Sequence, residues 1–376
     1  MKLLHTLCSL FFLCTLSLLC VCCTNNKDDN NVNETFLLHD VGYPQGIFHE
    51  GKYYFTFQSL GGDSVELLCT DQLENIANAQ RRTIWSTPRD SMTHFWSPEI
   101  YRVQDKWYLY FEGDDGNTDN HHLFVMECED NDPMTGHFTM KGLIETQAEW
   151  NYGIHPNLLQ LPSPGEGPGV GGLYLLWSGW PERRTETETQ CIYIARMENP
   201  WTLSSERVMI SKPEYEWERQ WINPDGTRSA YPIYVNENPE AFVTPDGQHV
   251  IVLYSASGIW TEYTAMGMLT APVTADLLDP TVWTKHPEPM IEADTTNFIC
   301  ITDVYLISVP STSVGGDLQS VGGDLQSVGG DLQSPTMMVY EKKRREQGNI
   351  VRDTYMRPLR WTKEGLPEWS RSEDQP

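Results

Sequence analysis

Residues 99–111 read Glu99-Ile-Tyr-Arg-Val-Gln-Asp-Lys-Trp-Tyr-Leu-Tyr-Phe111, two runs of alternating apolar and aromatic residues separated by a polar turn. This pattern is typical of a β-hairpin. The same pattern recurs along the chain at 46–56, 157–179 and 240–255, with a shorter version at 337–340. Hairpins that recur without helical periodicity predict an all-β fold.

The repetition of one hairpin unit favours a five-bladed β-propeller over a β-sandwich, whose strands lack such a repeated unit. We expect one propeller domain at 37–370. One low-complexity block interrupts it, because Ser313-Val-Gly-Gly-Asp-Leu-Gln319 is repeated without change at 320–326 and 327–333. The paired glycines oppose both helix and strand, so 313–334 is expected to be a flexible insert in the last blade.

The first residues have the layout of an export signal, with Lys2 ahead of an apolar run that ends in Cys22 and Cys23. The run is short for a membrane-spanning helix. We therefore expect a lipoprotein signal at 1–23, acylated at Cys23 or Cys22, although a retained anchor is the alternative. The polar segment 24–36 is expected to be a flexible tether. The resulting location is that of a secreted lipoprotein at the outer membrane or cell surface.

The composition limits the partners. With 26 Lys plus Arg against 52 Asp plus Glu, the net charge of −26 opposes binding to nucleic acid. No CxxC spacing occurs in the domain, so neither a metal site nor a disulfide framework is indicated, and no cofactor is expected. The 13 Trp and 17 Tyr supply rings that can stack on sugars. The alternative is that most of these rings are core. A monomer with membrane contact only through the lipid is predicted, and an oligo- or polysaccharide partner is what the family resemblance of the following stretches implies.

Several stretches, taken in order, carry a family resemblance. They include Trp96-Ser-Pro-Glu-Ile-Tyr101, Leu173-Tyr-Leu-Leu-Trp-Ser-Gly-Trp180, Asn199-Pro-Trp-Thr202 and Tyr254-Ser-Ala-Ser-Gly258. Together they resemble the α-L-arabinofuranosidases and β-xylosidases of glycoside hydrolase family 43. The resemblance implies a five-bladed propeller that hydrolyses glycosidic bonds with inversion, using an Asp base, a Glu acid and a second Asp that tunes the acid.

The resemblance places the acid at Glu237, in Glu237-Asn-Pro239, with a solvated loop glutamate as the alternative. It places the base at Tyr43, in Gly42-Tyr43-Pro44. A phenol with an ordinary pKa near 10 is a poor base at neutral pH. Asp40, three residues upstream, is a candidate replacement base, and a turn role for it is the alternative.

The tuning position corresponds to His155, in Ile154-His-Pro156. An imidazole there is expected to lower the pKa of Glu237 or leave it unchanged, whereas an anionic Asp would raise it. A further departure is expected in the last blade, where 297–312 and the heptads stand in place of a Gly-Pro-Gly-His stretch that lines the pocket in the family.

The candidate substrate-binding residues are Tyr43, Trp96, Glu99, Trp177 and Trp260, some of which have core packing as the alternative. Three interpretations of the chain follow. The first is hydrolysis of terminal arabinofuranosyl or xylosyl groups of plant polysaccharide by inversion. The second is a glycan-binding pseudoenzyme that has lost its chemistry at Tyr43 and His155. The third is a decaying gene product.

Overall fold

The computed structural model describes residues 34–58, 64–86, 92–146, 152–161, 172–183, 188–222, 228–261, 263–292, 300–308, 336–346 and 349–368. These residues form β-strands joined by turns and four short 3₁₀ helices, Leu73–Asn78, Thr118–Asn120, Glu216–Glu218 and Pro280–Val282. No helix among them is long and apolar enough to span a membrane. The expected all-β fold is confirmed.

The first two sheets are antiparallel and follow chain order. Sheet 1 contains β2 (Gly42–His49), β3 (Lys52–Gln58), β4 (Ser64–Thr70) and β5 (Gln80–Ser86). Sheet 2 contains β6 (Thr93–Val103), β7 (Lys106–Asp114), β8 (His122–Cys128) and β9 (Thr139–Leu143).

Sheets 3 and 4 repeat this antiparallel order with shorter outer strands. Sheet 3 contains β10 (Ile154–Gln160), β11 (Leu173–Gly179), β12 (Glu188–Asn199), β13 (Thr202–Leu203) and β14 (Val208–Ser211). Sheet 4 contains β15 (Arg219–Ile222), β16 (Arg228–Val243), β17 (His249–Ala256), β18 (Ala265–Pro272), β19 (Thr284–Lys285) and β20 (Ile291–Glu292). A short parallel pairing of residues 188–190 with 233–235 joins the two sheets.

Sheet 5 combines the two ends of the described chain. It contains β21 (Cys300–Ser308), β22 (Thr336–Glu346), β23 (Asn349–Pro358) and, at its edge, β1 (Thr35–His39). Strand β1 pairs antiparallel with β23. A separate hairpin of β24 (Arg360–Trp361) and β25 (Pro367–Glu368) follows.

Side chains of the middle strands alternate between two hydrophobic clusters. On β3, Tyr53 and Phe55 pack towards sheet 5 while Tyr54 packs towards sheet 2. On β17, Val250 and Val252 face sheet 3, whereas Ile251 and Leu253 face sheet 5. Successive side chains of a strand point to opposite faces, which explains why these strands are apolar throughout. Each successive pair of sheets shares a cluster, and sheets 5 and 1 share another.

Five strands, one in each sheet and here called the first strands, carry the same irregularity. In β2, β6, β10, β16 and β21, one extra residue is inserted at this shared place relative to the neighbouring strand, which is a β-bulge, and β6 has a second bulge between Thr93 and Trp96. The bulge residue has positive φ each time, and these residues are Tyr43 (52°), Ser97 (41°), His155 (53°), Asn238 (55°) and Asp303 (50°). Proline follows the first four and Val304 the fifth, consistent with the tolerance of bulges for proline.

Side chains of one sheet hold the bulge of the next. The carboxylate of Glu112 on β7 accepts the backbone N–H of His155 at 2.9 Å, and Glu341 on β22 accepts that of Tyr43 at 3.3 Å. The Ser178 hydroxyl on β11 accepts the N–H of Asn238 at 2.9 Å. These bonds fix the bulges of neighbouring sheets relative to one another.

Part of the 297–312 segment, which stands in place of the expected Gly-Pro-Gly-His stretch, forms a strand. Cys300–Ser308 forms β21, which pairs with β22 and has the same bulge as the other first strands. The last sheet is therefore built as the others are. Strand β1 begins at Thr35, inside the expected tether, and the 313–334 insert lies outside the described residues.

Candidate active site

The bulge side chains form a cluster, here called the bulge ring and made of Tyr43, Ser97, His155, Asn238 and Asp303. His155 Nδ1 lies 2.6 Å from Ser97 Oγ, and the rings of Tyr43 and His155 have centroids 5.9 Å apart. Asn238 Nδ2 donates to Asp303 Oδ1 at 2.7 Å. The shared bulge geometry thus brings together five side chains that are far apart in sequence.

Glu237 immediately precedes the bulge of β16 and faces His155. Its Oε2 lies 3.4 Å from His155 Nε2, and its Oε1 accepts the backbone N–H of Ile259 at 2.7 Å. The Glu237 side chain is 1% exposed, so it is not a solvated loop glutamate. The two residues expected to work together, Glu237 and His155, are thereby in contact.

The pKa of His155 reflects its surroundings. Burial opposes protonation, but the hydrogen bond to Glu237 and the charges of Glu112 and Glu237 outweigh burial and raise the His155 pKa above its ordinary value. Both ring N–H groups of the imidazolium have acceptors, since Nε2 faces Glu237 and Nδ1 faces Ser97. Glu112, which accepts the backbone N–H of His155, is buried, and burial raises its pKa to about 7. The geometry therefore retains a proton on the imidazole.

Tyr43 lies at the position that the resemblance gives to the base. Its ring is buried, and the guanidinium carbon of Arg352 lies 5.3 Å from the ring centroid. Burial raises the Tyr43 pKa well above its usual value, although Arg352 opposes the shift. The phenol is thus even less ionised at neutral pH than an exposed tyrosine, so the phenolate that could act as a base is not populated. Its place is beside the site as a packing or binding group.

Asp303 is the carboxylate of the bulge ring. Its Oδ1 accepts from Asn238, and its Oδ2 accepts from the Thr302 hydroxyl at 2.8 Å. The charge of Asp303 acts on Tyr43, His155 and Glu341, which places it in the same electrostatic environment as the Glu237–His155 pair.

A buried polar layer continues from the bulge ring. Asn157 Nδ2 donates to Glu240 at 2.6 Å and to Glu99 at 3.3 Å. Burial raises the pKa of Glu240 to about 8 and that of Glu99 well above its ordinary range. A cavity of about 20 Å³ is lined by Tyr43, Glu99, Asn238, Glu240 and Asp303 among others, enough for a water molecule.

The expected substrate-binding residues have different surroundings. Trp177 is fully buried in the cluster between sheets 2 and 3, so it is a packing residue and has no face open to a sugar. Glu99 is buried in the polar layer and bonds the Tyr101 hydroxyl. Trp96 is half-buried and stacks on His121 with centroids 4.0 Å apart. Trp260 is 47% exposed.

The remaining expected residues lie away from these contacts. Asp40 occupies the turn between β1 and β2, where its carboxylate accepts the backbone N–H of Arg352 at 3.4 Å. That is the geometry of the alternative turn role. Cys22 and Cys23 lie outside the described residues.

Sequence reasoning missed Asp303, Glu112 and Glu341. A signal existed, since Tyr43, Ser97, His155 and Asn238 each precede proline in a first strand. Val304 interrupts this pattern in the fifth strand, which conceals Asp303. Glu112 and Glu341 carry no local motif, because their role depends on the next sheet.

With this geometry established, comparison with known proteins decides the family. The sequence model of "Glycosyl hydrolases family 43" matches residues 40–367. The chain belongs to glycoside hydrolase family 43. The matched residues include β21, β22 and β23 of sheet 5.

Curated relatives in this family are arabinofuranosidases. "Alpha-L-arabinofuranosidase B" of Pyricularia oryzae is 30% identical over 67% of this chain and 48% of its own length. "Extracellular exo-alpha-(1->5)-L-arabinofuranosidase" of Streptomyces avermitilis is 31% identical over 65% of this chain and 46% of its own. The chain thus spans about half the length of these relatives.

A solved structure of similar extent is the α-L-arabinofuranosidase from Lactobacillus brevis. It superposes with a TM-score of 0.72 at 26% identity, covering 89% of this chain and 96% of that one. A thermostable family-43 glycoside hydrolase has a TM-score of 0.65 at 15% identity over 92% of this chain and 98% of that one, a likeness of fold.

Proposed function

We propose that this protein is a glycosidase that removes terminal arabinofuranosyl or xylosyl groups from plant polysaccharide with inversion at the anomeric carbon. The observation that carries the proposal is the buried Glu237–His155 pair within the bulge ring. The pair supplies the proton that the leaving oxygen needs as the glycosidic bond breaks. The resemblance of Glu237-Asn-Pro239 to the acid position of family 43 also supports this role.

The proton has a defined route. The imidazolium of His155 faces Glu237 Oε2 at 3.4 Å, while Ile259 fixes the other carboxylate oxygen. Glu237 passes the proton held by His155 to the leaving oxygen as the glycosidic bond breaks, so the pair gives up one proton in each turnover. In the family, a neighbouring Asp keeps the acid protonated by like-charge repulsion. Here the imidazolium of His155 holds the proton beside the acid instead.

We also propose that the five sheets form a five-bladed propeller. Three features support it: the identical bulge in each first strand, the hydrophobic cluster shared by sheets 5 and 1, and the pairing of β1 with β23. In such an arrangement the bulge ring surrounds the central axis.

The proposed location follows from the N-terminus and the relatives. An export signal at 1–23 with acylation at Cys23 or Cys22 would place the enzyme at the cell surface or outer membrane. Two relatives are named extracellular arabinofuranosidases. We propose that this protein meets its polysaccharide outside the cell as well.

The first test is turnover by the purified chain from Thr24, with p-nitrophenyl α-L-arabinofuranoside and p-nitrophenyl β-D-xyloside. We expect hydrolysis of at least one, with the inverted anomer as the first product in a proton NMR time course. Sugar binding without turnover would instead identify the glycan-binding pseudoenzyme. An insoluble or unfolded product would favour a decaying gene.

Replacing the acid is the second test. Glu237→Gln is expected to lower kcat/KM on an alkyl glycoside about 10²- to 10⁴-fold, the usual range for loss of a general acid. On a 2,4-dinitrophenyl glycoside, whose leaving group departs without a proton, the loss is expected to be much smaller. Glu206→Gln, at an exposed glutamate, is the matched control. Equal losses on both substrates would contradict an acid role for Glu237.

A further inference from the structure

The bulge ring presents one carboxylate at a position that sequence motifs do not identify. In an inverting glycosidase a second carboxylate must take a proton from the attacking water. Of the five ring positions, Tyr43, Ser97, His155 and Asn238 have side chains without a carboxyl group, and the fifth is Asp303. Tyr43 is buried with Arg352 over its ring, and burial raises its pKa, so its phenol stays un-ionised at neutral pH and cannot take the proton.

We propose that Asp303 is the general base of this enzyme, taking the role that Tyr43 cannot fill. The inference rests on the proposed glycosidase function and deepens it. Asp303 has the same left-handed bulge conformation as Tyr43, with φ of 50° against 52°. Its strand β21 belongs to sheet 5, which shares a hydrophobic cluster with sheet 1. Compared with the family's base position at Tyr43, the Asp303 carboxylate therefore lies on the neighbouring sheet but at the same bulge position of its strand.

The hydrogen bonds of Asp303 suit this role. Asn238 and Thr302 each donate to a different oxygen of the carboxylate, at 2.7 and 2.8 Å. Each oxygen retains a further lone pair for a water molecule. Asn238 follows Glu237 directly, so one residue of β16 orients the base while the preceding residue carries the acid. The small cavity beside Asp303, Tyr43 and Asn238 offers space for a water.

The reaction balances with these groups alone. The water oxygen forms a bond to the anomeric carbon, and one of its protons passes to the Asp303 carboxylate. The bond from the anomeric carbon to the leaving oxygen breaks, and its electron pair stays on that oxygen. The leaving oxygen takes the proton of the Glu237–His155 pair. The products are the free sugar of inverted configuration and the shortened glycan alcohol.

Asp40 is the competing candidate. Its carboxylate accepts the backbone N–H of Arg352 in the β1–β2 turn, and its own backbone N–H donates to Asp353. These contacts lie at the edge of sheet 5, where β1 pairs with β23. Asp40 thereby stabilises a turn, whereas Asp303 contacts a member of the bulge ring directly.

The test compares Asp303→Asn, Asp40→Asn and the parent chain on an alkyl and a 2,4-dinitrophenyl glycoside. Asp303→Asn is expected to lower kcat/KM about 10²- to 10⁴-fold on both substrates, because water must be activated whatever the leaving group. Asp105→Asn is the matched control, since Asp105 is fully exposed and shares the left-handed conformation with φ of 62°. Asparagine tolerates the left-handed conformation of residue 303, so the bulge of β21 is expected to be retained in Asp303→Asn.

A second variant separates loss of the base from loss of the fold. Glycine accepts positive φ, so Asp303→Gly is expected to fold and to leave room for azide. Added azide should restore cleavage of the 2,4-dinitrophenyl glycoside, with the inverted glycosyl azide as product. Azide bonds to the anomeric carbon while the phenolate departs with its electron pair, so no base is needed.

The outcomes are distinct. The inference is supported if the parent chain hydrolyses the glycosides, Asp303→Asn does not, and azide restores cleavage by Asp303→Gly. The inference is overturned if Asp303→Asn retains turnover. It is also overturned if Asp40→Asn loses turnover to the same extent on both substrates. Either result leaves the proposed function standing. A folded parent without turnover on any glycoside overturns the proposed function and the inference with it.

Discussion

At the scale of single residues, the contact between His155 and Glu237 ties the reaction to pH. A histidine with a raised pKa stays protonated to higher pH than a free one, so the proton it holds is lost only as the pH rises through that raised value. An activity that uses this proton persists into the neutral range. Under the proposed mechanism, we expect this contact to set the alkaline limb of the pH profile.

The expected result of His155→Asn follows from this. Without the imidazolium, the alkaline limb of kcat/KM should shift to lower pH, and activity at neutral pH should fall while activity at acidic pH changes less. Asparagine accommodates the left-handed backbone, so the fold should persist. His137→Asn, at an exposed histidine, serves as control. An alkaline limb that does not move would contradict the proton reservoir.

At the scale of elements, the segment between β17 and β18 links the acid to the surface. The Thr261 and Thr264 hydroxyls donate to the carbonyls of Ser257 and Gly258, at 2.9 and 2.8 Å. The Trp260 ring packs over Gly258, where a Cβ would lie only 3.0 Å from it. The backbone of Ile259 binds Glu237. The exposed Trp260 ring is thus adjacent in sequence to the backbone N–H that binds Glu237.

Such a ring is suited to stack on a sugar. Trp260→Ala is therefore expected to raise KM about tenfold, equivalent to ~1.4 kcal/mol, with little change in kcat, because stacking acts on ground and transition states alike. Phe36→Ala removes a comparably exposed aromatic ring from β1 and should leave both constants unchanged. A fall in kcat with KM unaltered would contradict a binding role for Trp260.

The elements also show what sequence could predict. Hairpins such as 99–111 carry their own signal in alternation and turn residues, so the all-β fold follows from local patterns. The proximity of Glu237 and His155 was predicted through the resemblance. Asp303 was not predicted because its position depends on a bulge register that Val304 obscures. Trp177 was misassigned because a strand buried on both faces offers no polar face to mark its packing role.

At the scale of the whole molecule, the net charge of −26 acts on any charged substrate. An acidic protein repels polyanions, and salt screens that repulsion, with a Debye length of about 8 Å at physiological ionic strength. We expect a higher KM for an oligosaccharide bearing uronic acids than for its neutral counterpart. The difference should shrink as salt is added, while the neutral substrate is unaffected. Kinetics for the pair across a salt series would check this, and equal KM values at low salt would contradict it.

The bulge ring also bears on how such a protein changes over generations. Each of its five positions has the same backbone geometry, so exchanging the side chain at one position leaves the others in place. Single-residue changes can therefore add a catalytic carboxylate on one sheet and remove it from another. The intermediate ancestor would have carried both carboxylates or neither. The absence of carboxylates at Tyr43 and His155 is then compatible with an active enzyme whose base lies on a different sheet. A search for inactive homologues that inspects only the inherited positions would misclassify such a protein as inactive.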